Sequence, residues 1–406
     1  MIPIVVTGLG VVSPVGMTVA ESWQTLLAGR SGIVELQAEW AAPLPSRVAG
    51  LMARNPDELL DRVEARKLDR ASQGGLAAAR EAWADAGLAD AGVDPMRVAV
   101  VMGTAIGGMI TLLDNHDRMV AGGYRRVSPR MVQMNMPNAT AAAISIDLDA
   151  RAGAITTVSA CASGSEAIAH AADLIRLGRA DVVLAGGAEA CIHPVTMAGF
   201  AQAHALATAN DRGATASRPF DVSRDGFVIG EGAGVVVLES EEHARARGAR
   251  HYAYFGGGSV TSDAHDMVSP HPSGSGQVRA MRQALAEASL APTDIDHVNA
   301  HATSTPTGDL VEASALREVF DGVDPVVSAT KSMTGHMLGA SGAFEAVATV
   351  LAIRDGVAPP TPTLIDAEPG LGLDVTRSTP RHLPIRAALS NSFGFGGHNA
   401  SLVFHS

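Results

Sequence analysis

One triplet, repeated at a distance, constrains this chain more than any other feature. Ala162-Ser163-Gly164 returns as Ala340-Ser341-Gly342, an offset of 178 residues, and at the same offset Ile175-Arg176 returns as Ile353-Arg354 and Gly178 as Gly356. Each copy reads as a helix opened by the triplet and closed by glycine, the residue that enters the left-handed C-terminal cap without a steric penalty. A fold that carries the same helix twice is expected to be a duplicated half. The boundary is placed near "EEHARARGAR", dividing the chain into residues 1–249 and 250–406.

Within each half, apolar strand-like runs alternate with amphipathic helical ones, the pattern of an α/β fold. Strands are expected over 3–7, 98–102, 155–158, 181–185, 234–239, 253–257, 297–299, 326–328 and 402–405. Helices are expected over 69–86, 137–146, 165–177, 276–288, 310–320 and 343–354. At 406 residues the chain has ample length for a large core and no need of covalent staples. Its two cysteines, Cys161 and Cys191, fit a reducing compartment, and a cytoplasmic location is expected. "MIPIVVTGLG" lacks the basic region of a signal peptide, and no stretch is apolar for long enough to suggest a membrane span.

A net charge of −12 argues against nucleic-acid binding through a basic field. Nucleotide and metal motifs are missing as well. Gly394-Phe395-Gly396-Gly397-His398-Asn399 lacks the last glycine of a dinucleotide fingerprint, "GLGVVS" places Ser13 there, and neither a P-loop nor a paired-cysteine site occurs. No metal and no resident cofactor are expected.

Four stretches carry candidate chemistry. In "TTVSACASGSEA" Cys161 stands at the mouth of the first repeated helix, where the amides stabilise an anion by roughly 0.3–1 kcal/mol. That would bring a thiol from about 8.5 to about 7–8, a nucleophile still in need of a histidine partner. The competing reading is a buried small apolar residue. "VNAHATSTPTGD" brings His301 to the end of a short strand, where α/β proteins place reactive groups. "SATKSMTGHMLGASGAFE" carries Lys331 and His336, and Lys331 is one of only two lysines in a chain that otherwise uses arginine. "SNSFGFGGHNASLVF" is dense enough in glycine for a tight turn between strands or an amide-lined anion site. Two basic clusters, one at Arg66, Lys67 and Arg70 and another at Arg125, Arg126 and Arg130, are either solvated faces or contacts for an acidic partner.

Taken together and in this order, "SACASGSEA", "NAHATSTPTGD", "TKSMTGHMLGASGA" and "NSFGFGGHN" resemble the elongating β-ketoacyl-acyl-carrier-protein synthases, with details similar to actinobacterial members. The resemblance spans essentially the whole chain. It implies a thiolase fold of two similar halves in five α-β-α-β-α layers, usually a homodimer, and a two-stage decarboxylative Claisen condensation. Cys161 would take the acyl group, with the amides of Cys161 and Phe395 as the oxyanion hole. His301 and His336 would stabilise the enolate formed from malonyl-carrier protein. Lys331 would orient this pair, and Glu345 would be an internal partner for it or for the loops. Thr303 and Thr305 would hold the phosphopantetheine arm, which arrives on the carrier protein, and Ile106 and Phe395 would gate the acyl tunnel. Arg66, Lys67, Arg70, Arg125 and Arg126 become candidates for docking the acidic carrier. Two positions depart from the pattern: Ala302 and Ala105 stand where the family favours glycine. The runner-up reading is the catalytic ketosynthase of a type II polyketide or polyene pathway, with its own carrier protein and a heterodimeric partner. A non-catalytic chain-length factor would lack the cysteine.

Overall fold

The computed structural model describes residues 2–406. Its main strands are β1 (Ile4–Val12), β2 (Val98–Gly103), β3 (Gly153–Thr157), β4 (Val182–Glu189), β5 (Gly232–Ser240), β6 (Ala253–Ser262), β7 (His297–Asn299), β8 (Val326–Ser328), β9 (Asp374–Val375), β10 (Ala387–Gly394) and β11 (His398–His405). They form an 11-stranded sheet in the order β9-β8-β7-β10-β11-β6-β1-β5-β4-β2-β3. From the middle outwards the two sides match. β1, β5, β4, β2 and β3 on one side answer β6, β11, β10, β7 and β8 on the other, with antiparallel pairings near the centre and parallel ones outside. The halves meet where Val5 and Val6 of β1 pair with Tyr254 and Ala253 of β6.

Helices of nine residues or more are α1 (Val19–Leu27), α2 (Arg70–Asp85), α3 (Met109–Gly122), α4 (Ala139–Asp147), α5 (Ser163–Arg176), α6 (Pro194–Gln202), α7 (Ser275–Ala288), α8 (Pro306–Val319) and α9 (Ser341–Asp355). Alternation along the strands sends side chains into separate cores. Val98, Val100 and Met102 of β2 pack with Leu76, Ala78 and Ala82 of α2, whereas Ala99 and Val101 pack with Ala167, Ile168 and Ala171 of α5. On the far side, α7 and α8 cover Val298, Val327 and Leu389. Both α5 and α9 contact strands of both halves. The layers are therefore helix, sheet, helix, sheet, helix, a thiolase-type architecture.

The repeated triplet lies at the crossing of the two middle helices. A Cβ on Gly164 would stand 2.9 Å from the amide nitrogen of Ala343, and one on Gly342 would stand 2.2 Å from Ser165 Oγ. Only glycine allows this approach. Every residue of α9 from Ser341 to Ile353 is buried, as an all-round enclosed helix requires. The crossing brings the loops that open α5 and α9 to one place between the halves.

Candidate active site

Cys161 occupies a short 3-10 turn, Ala160–Ala162, that runs into α5. Ala160 is held at φ 50°, a left-handed conformation for a residue with a Cβ. Ser163 braces the turn: its hydroxyl donates to the Ala160 carbonyl at 2.6 Å and accepts from the Ser159 amide at 2.9 Å. Gly394, at the end of β10, packs so closely that a Cβ there would come within 3.0 Å of the Cys161 nitrogen. The turn to β11 thus presents the Phe395 amide to the sulfur.

The expected pKa of the thiol is corrected. Cys161 is 7% exposed, and burial pushes its thiol up to about 11, although the Phe395 amide and the charge of Lys331 both favour the thiolate. A helix end contributes too little to offset the desolvation of an anion in a closed pocket. Cys161 therefore rests as a thiol.

His301 follows β7, and its loop is fixed from below by carboxylates that the sequence reading did not single out. Glu312 of α8 accepts the amides of His301 at 2.7 Å and Ala302 at 2.6 Å, while Asp309 accepts those of Ser304 and Phe220. Ala302 adopts φ 25°, so the missing glycine is felt there; Ala105 is not among the residues with positive φ. His336 is held by the second triplet, its Nδ1 lying 3.0 Å from Ser341 Oγ. The two imidazoles meet edge to face with centroids 5.3 Å apart. His301 Nδ1 and His336 Nε2 have no protein partner.

Lys331 and Glu345 are each 1% exposed and form an ion pair at 2.5 Å. Glu345 Oε1 also accepts the Thr330 hydroxyl at 3.4 Å, so it faces both the lysine and the loop that carries it. Burial, reinforced by the positive charge of Lys331, drives both imidazoles well below the ordinary histidine value. Both rings are neutral N–H donors at neutral pH.

A cavity of about 550 Å³ joins these parts. Cys161, His301, His336, Phe395, Ile106, Thr303 and Thr305 all line it. The hydroxyls of Thr303 and Thr305 lie 3.1 Å apart on one wall, and Ile106, Phe200 and Leu338 give it an apolar side. Lys331 and Glu345 stand behind the lining.

Of the basic residues, Arg66, Lys67, Arg125 and Arg126 are exposed. Arg70 differs: its guanidinium is turned inward onto Glu231, at 2.5 Å, and Asn55. The two exposed groups belong to linked elements, because Asp69 at the start of α2 accepts the Thr111 amide and hydroxyl at the start of α3. Among the described residues no helix is long and apolar enough to cross a membrane.

Comparison with known proteins agrees with this geometry. Residues 1–244 match the model of the beta-ketoacyl synthase N-terminal domain, and residues 252–364 match that of the C-terminal domain. The chain is 45% identical over 405 residues to the 3-oxoacyl-[acyl-carrier-protein] synthase 2 of Vibrio harveyi, covering 99% of this chain and 98% of that protein. It is 44% identical to the enzyme of the same name from Mycobacterium tuberculosis, covering 99% and 96%. Among solved structures, a type II PKS ketosynthase in complex with its acyl-carrier protein superposes with a TM-score of 0.91 at 31% identity, covering 100% and 99% of the two chains. A buried cysteine at a helix mouth, a facing pair of neutral imidazoles and two matched halves, found in a chain this similar along its whole length, place it in the beta-ketoacyl synthase family.

Proposed function

We propose that the chain is a β-ketoacyl-acyl-carrier-protein synthase of fatty-acid elongation, in which Cys161 carries the growing acyl group. One observation carries this reading: a buried thiol and two neutral imidazoles line one cavity, in a chain close to half identical to 3-oxoacyl-[acyl-carrier-protein] synthases 2. The alternative of a polyketide ketosynthase is less favoured, since the type II PKS ketosynthase is 31% identical against 45% for the Vibrio enzyme.

The first half-reaction exchanges one thioester for another. Cys161 sulfur attacks the acyl carbonyl, the carrier's pantetheine sulfur leaves, and the proton lost by Cys161 ends on that sulfur. Exchange is therefore proton-neutral, which suits a nucleophile that rests as a thiol. The amides of Cys161 and Phe395 serve the oxyanion of the tetrahedral intermediate. In the second half-reaction malonyl-carrier protein loses CO₂, and the electron pair of the broken bond becomes an enolate. Imidazolium would quench that carbanion by proton transfer; a neutral N–H donor stabilises it. The enolate carbon attacks acyl-Cys161, forming the new C–C bond and returning the sulfur, which is then reprotonated. Burial, with the charge of Lys331 tied to Glu345, keeps the imidazoles neutral.

Arg66, Lys67, Arg125 and Arg126 are proposed to receive the acidic carrier protein, while Arg70 acts inside the fold. A homodimer is proposed from the sheet edge. β3 pairs only with β2 and carries Ile155, 42% exposed, and α4, which contacts β3, carries Ile146, 82% exposed. A second copy of the chain would cover this apolar face. The test of the activity is incubation with acyl- and malonyl-carrier proteins, followed by mass analysis of the carrier. The expected product is a β-ketoacyl chain two carbons longer; CO₂ release with no elongated product from any acyl donor would overturn the reading.

A further inference from the structure

Glu189, the last residue of β4, belongs to no step above, yet its side chain is fully buried and has no cationic partner among the described residues. Its acceptors are used by two loops. Oε1 accepts the Thr104 hydroxyl at 3.1 Å and the Ile106 amide at 3.3 Å; Oε2 accepts the Ala105 amide at 2.6 Å and the Gly339 amide at 3.2 Å. Thr104, Ala105 and Ile106 form the loop between β2 and α3 that carries the apolar wall beside Cys161. Gly339 lies in the turn that connects His336 to α9. Thr104 Oγ1 in turn accepts the Gly107 amide at 3.1 Å, so the carboxylate organises the whole segment up to α3.

We propose that Glu189 is a positioning residue that fastens the Ile106 loop of one half to the Gly339 turn of the other, so that the passage of an acyl chain beyond Cys161 requires this clasp. The proposal rests on the condensing-enzyme reading and on Ile106 as the gate of the acyl tunnel. Both carboxylate oxygens are needed because all four groups facing them are donors. A glutamine at this position keeps the shape but turns an NH₂ towards one pair of donors, so that at least one backbone N–H is left buried without its acceptor.

Chain length is the readout. A short acyl group ends near the thiol and never meets Ile106; a long one must pass it. In Glu189→Gln, acylation of Cys161 by a long-chain acyl-carrier donor is expected to fall by about tenfold or more, with short-chain acylation changed less than about threefold. Thr104→Val, which removes one of the four donors, is expected to shift the same ratio in the same direction by a smaller factor and serves if the glutamine variant does not fold. Adding Ile106→Ala to Glu189→Gln should restore the long-chain rate relative to the short. An unchanged long-to-short ratio in both variants, or an equal loss for all chain lengths with a lowered melting temperature, overturns the clasp. Failure of the wild-type protein to become acylated by any donor is a different result and overturns the condensing-enzyme reading instead.

Discussion

At the scale of single residues, the chemistry depends on burial more than on helix ends. Helix-mouth electrostatics alone predicted a thiol near neutrality, whereas the enclosed Cys161 is pushed up to about 11. Position was legible, since a cysteine before Ala-Ser-Gly declares the mouth of a helix; enclosure was not, because it is made by Gly394 and Phe395, distant in sequence. Alkylation of Cys161 by iodoacetamide should keep accelerating as pH rises beyond the range of an ordinary thiol, about 8.5. A plateau near that value in the folded protein would contradict the assigned environment. The imidazoles make the opposite case: burial and the charge of Lys331 drive them down, so activity should stay flat as pH falls through the usual histidine range, about 6.5. Replacing His301 or His336 by alanine should leave acylation measurable and lower malonyl decarboxylation by on the order of 10²–10³-fold, the cost of losing one preorganised donor. Equal losses in both half-reactions, measured by intact mass and by CO₂ release, would count against this division of roles.

At the scale of elements, the repeat explains both fold and site. The serine of the first triplet braces the Cys161 turn, the serine of the second faces His336 Nδ1, and the two glycines let α5 and α9 cross. Gly342→Ala should cost about 1–3 kcal/mol, since its Cβ collides with Ser165 and Ser392 and the helices must part. Thermal unfolding checks this, and a variant as stable as the parent would show that the crossing is loose. Strands 297–299 and 326–328 were read with the observed ends, because short apolar runs between turn residues permit little else. β10 was not read as a strand. Its buried Ser390, Asn391 and Ser392 look like loop residues, and their burial is satisfied in part by distant partners, Ser165 for Ser392 and Ser401 for Asn391. α3 was missed for a related reason: its apolar Leu112, Met119 and Val120 are exposed and show no single buried stripe. Glu189 and Glu312 likewise escaped notice, since a carboxylate that accepts backbone amides leaves no pattern in a sequence.

At the scale of the whole molecule, two matched halves meet around one cavity, with Cys161 reaching it from the first half and Phe395 and the two imidazoles from loops of the second. The exposed edge at β3 gives the assembly prediction: the protein should sediment as a dimer, and Ile155→Glu should shift it towards monomer, whereas a wild-type monomer at micromolar concentration would contradict the proposed interface. The central claim concerns the sulfur of Cys161. Intact-mass and peptide analysis after incubation with a panel of acyl-carrier proteins tests it most directly. The account predicts a single acyl group on the peptide containing Cys161, discharged when malonyl-carrier protein is added and absent in Cys161→Ala; an acyl group on Cys191 or another residue, or elongation at the full rate by Cys161→Ala, would contradict it.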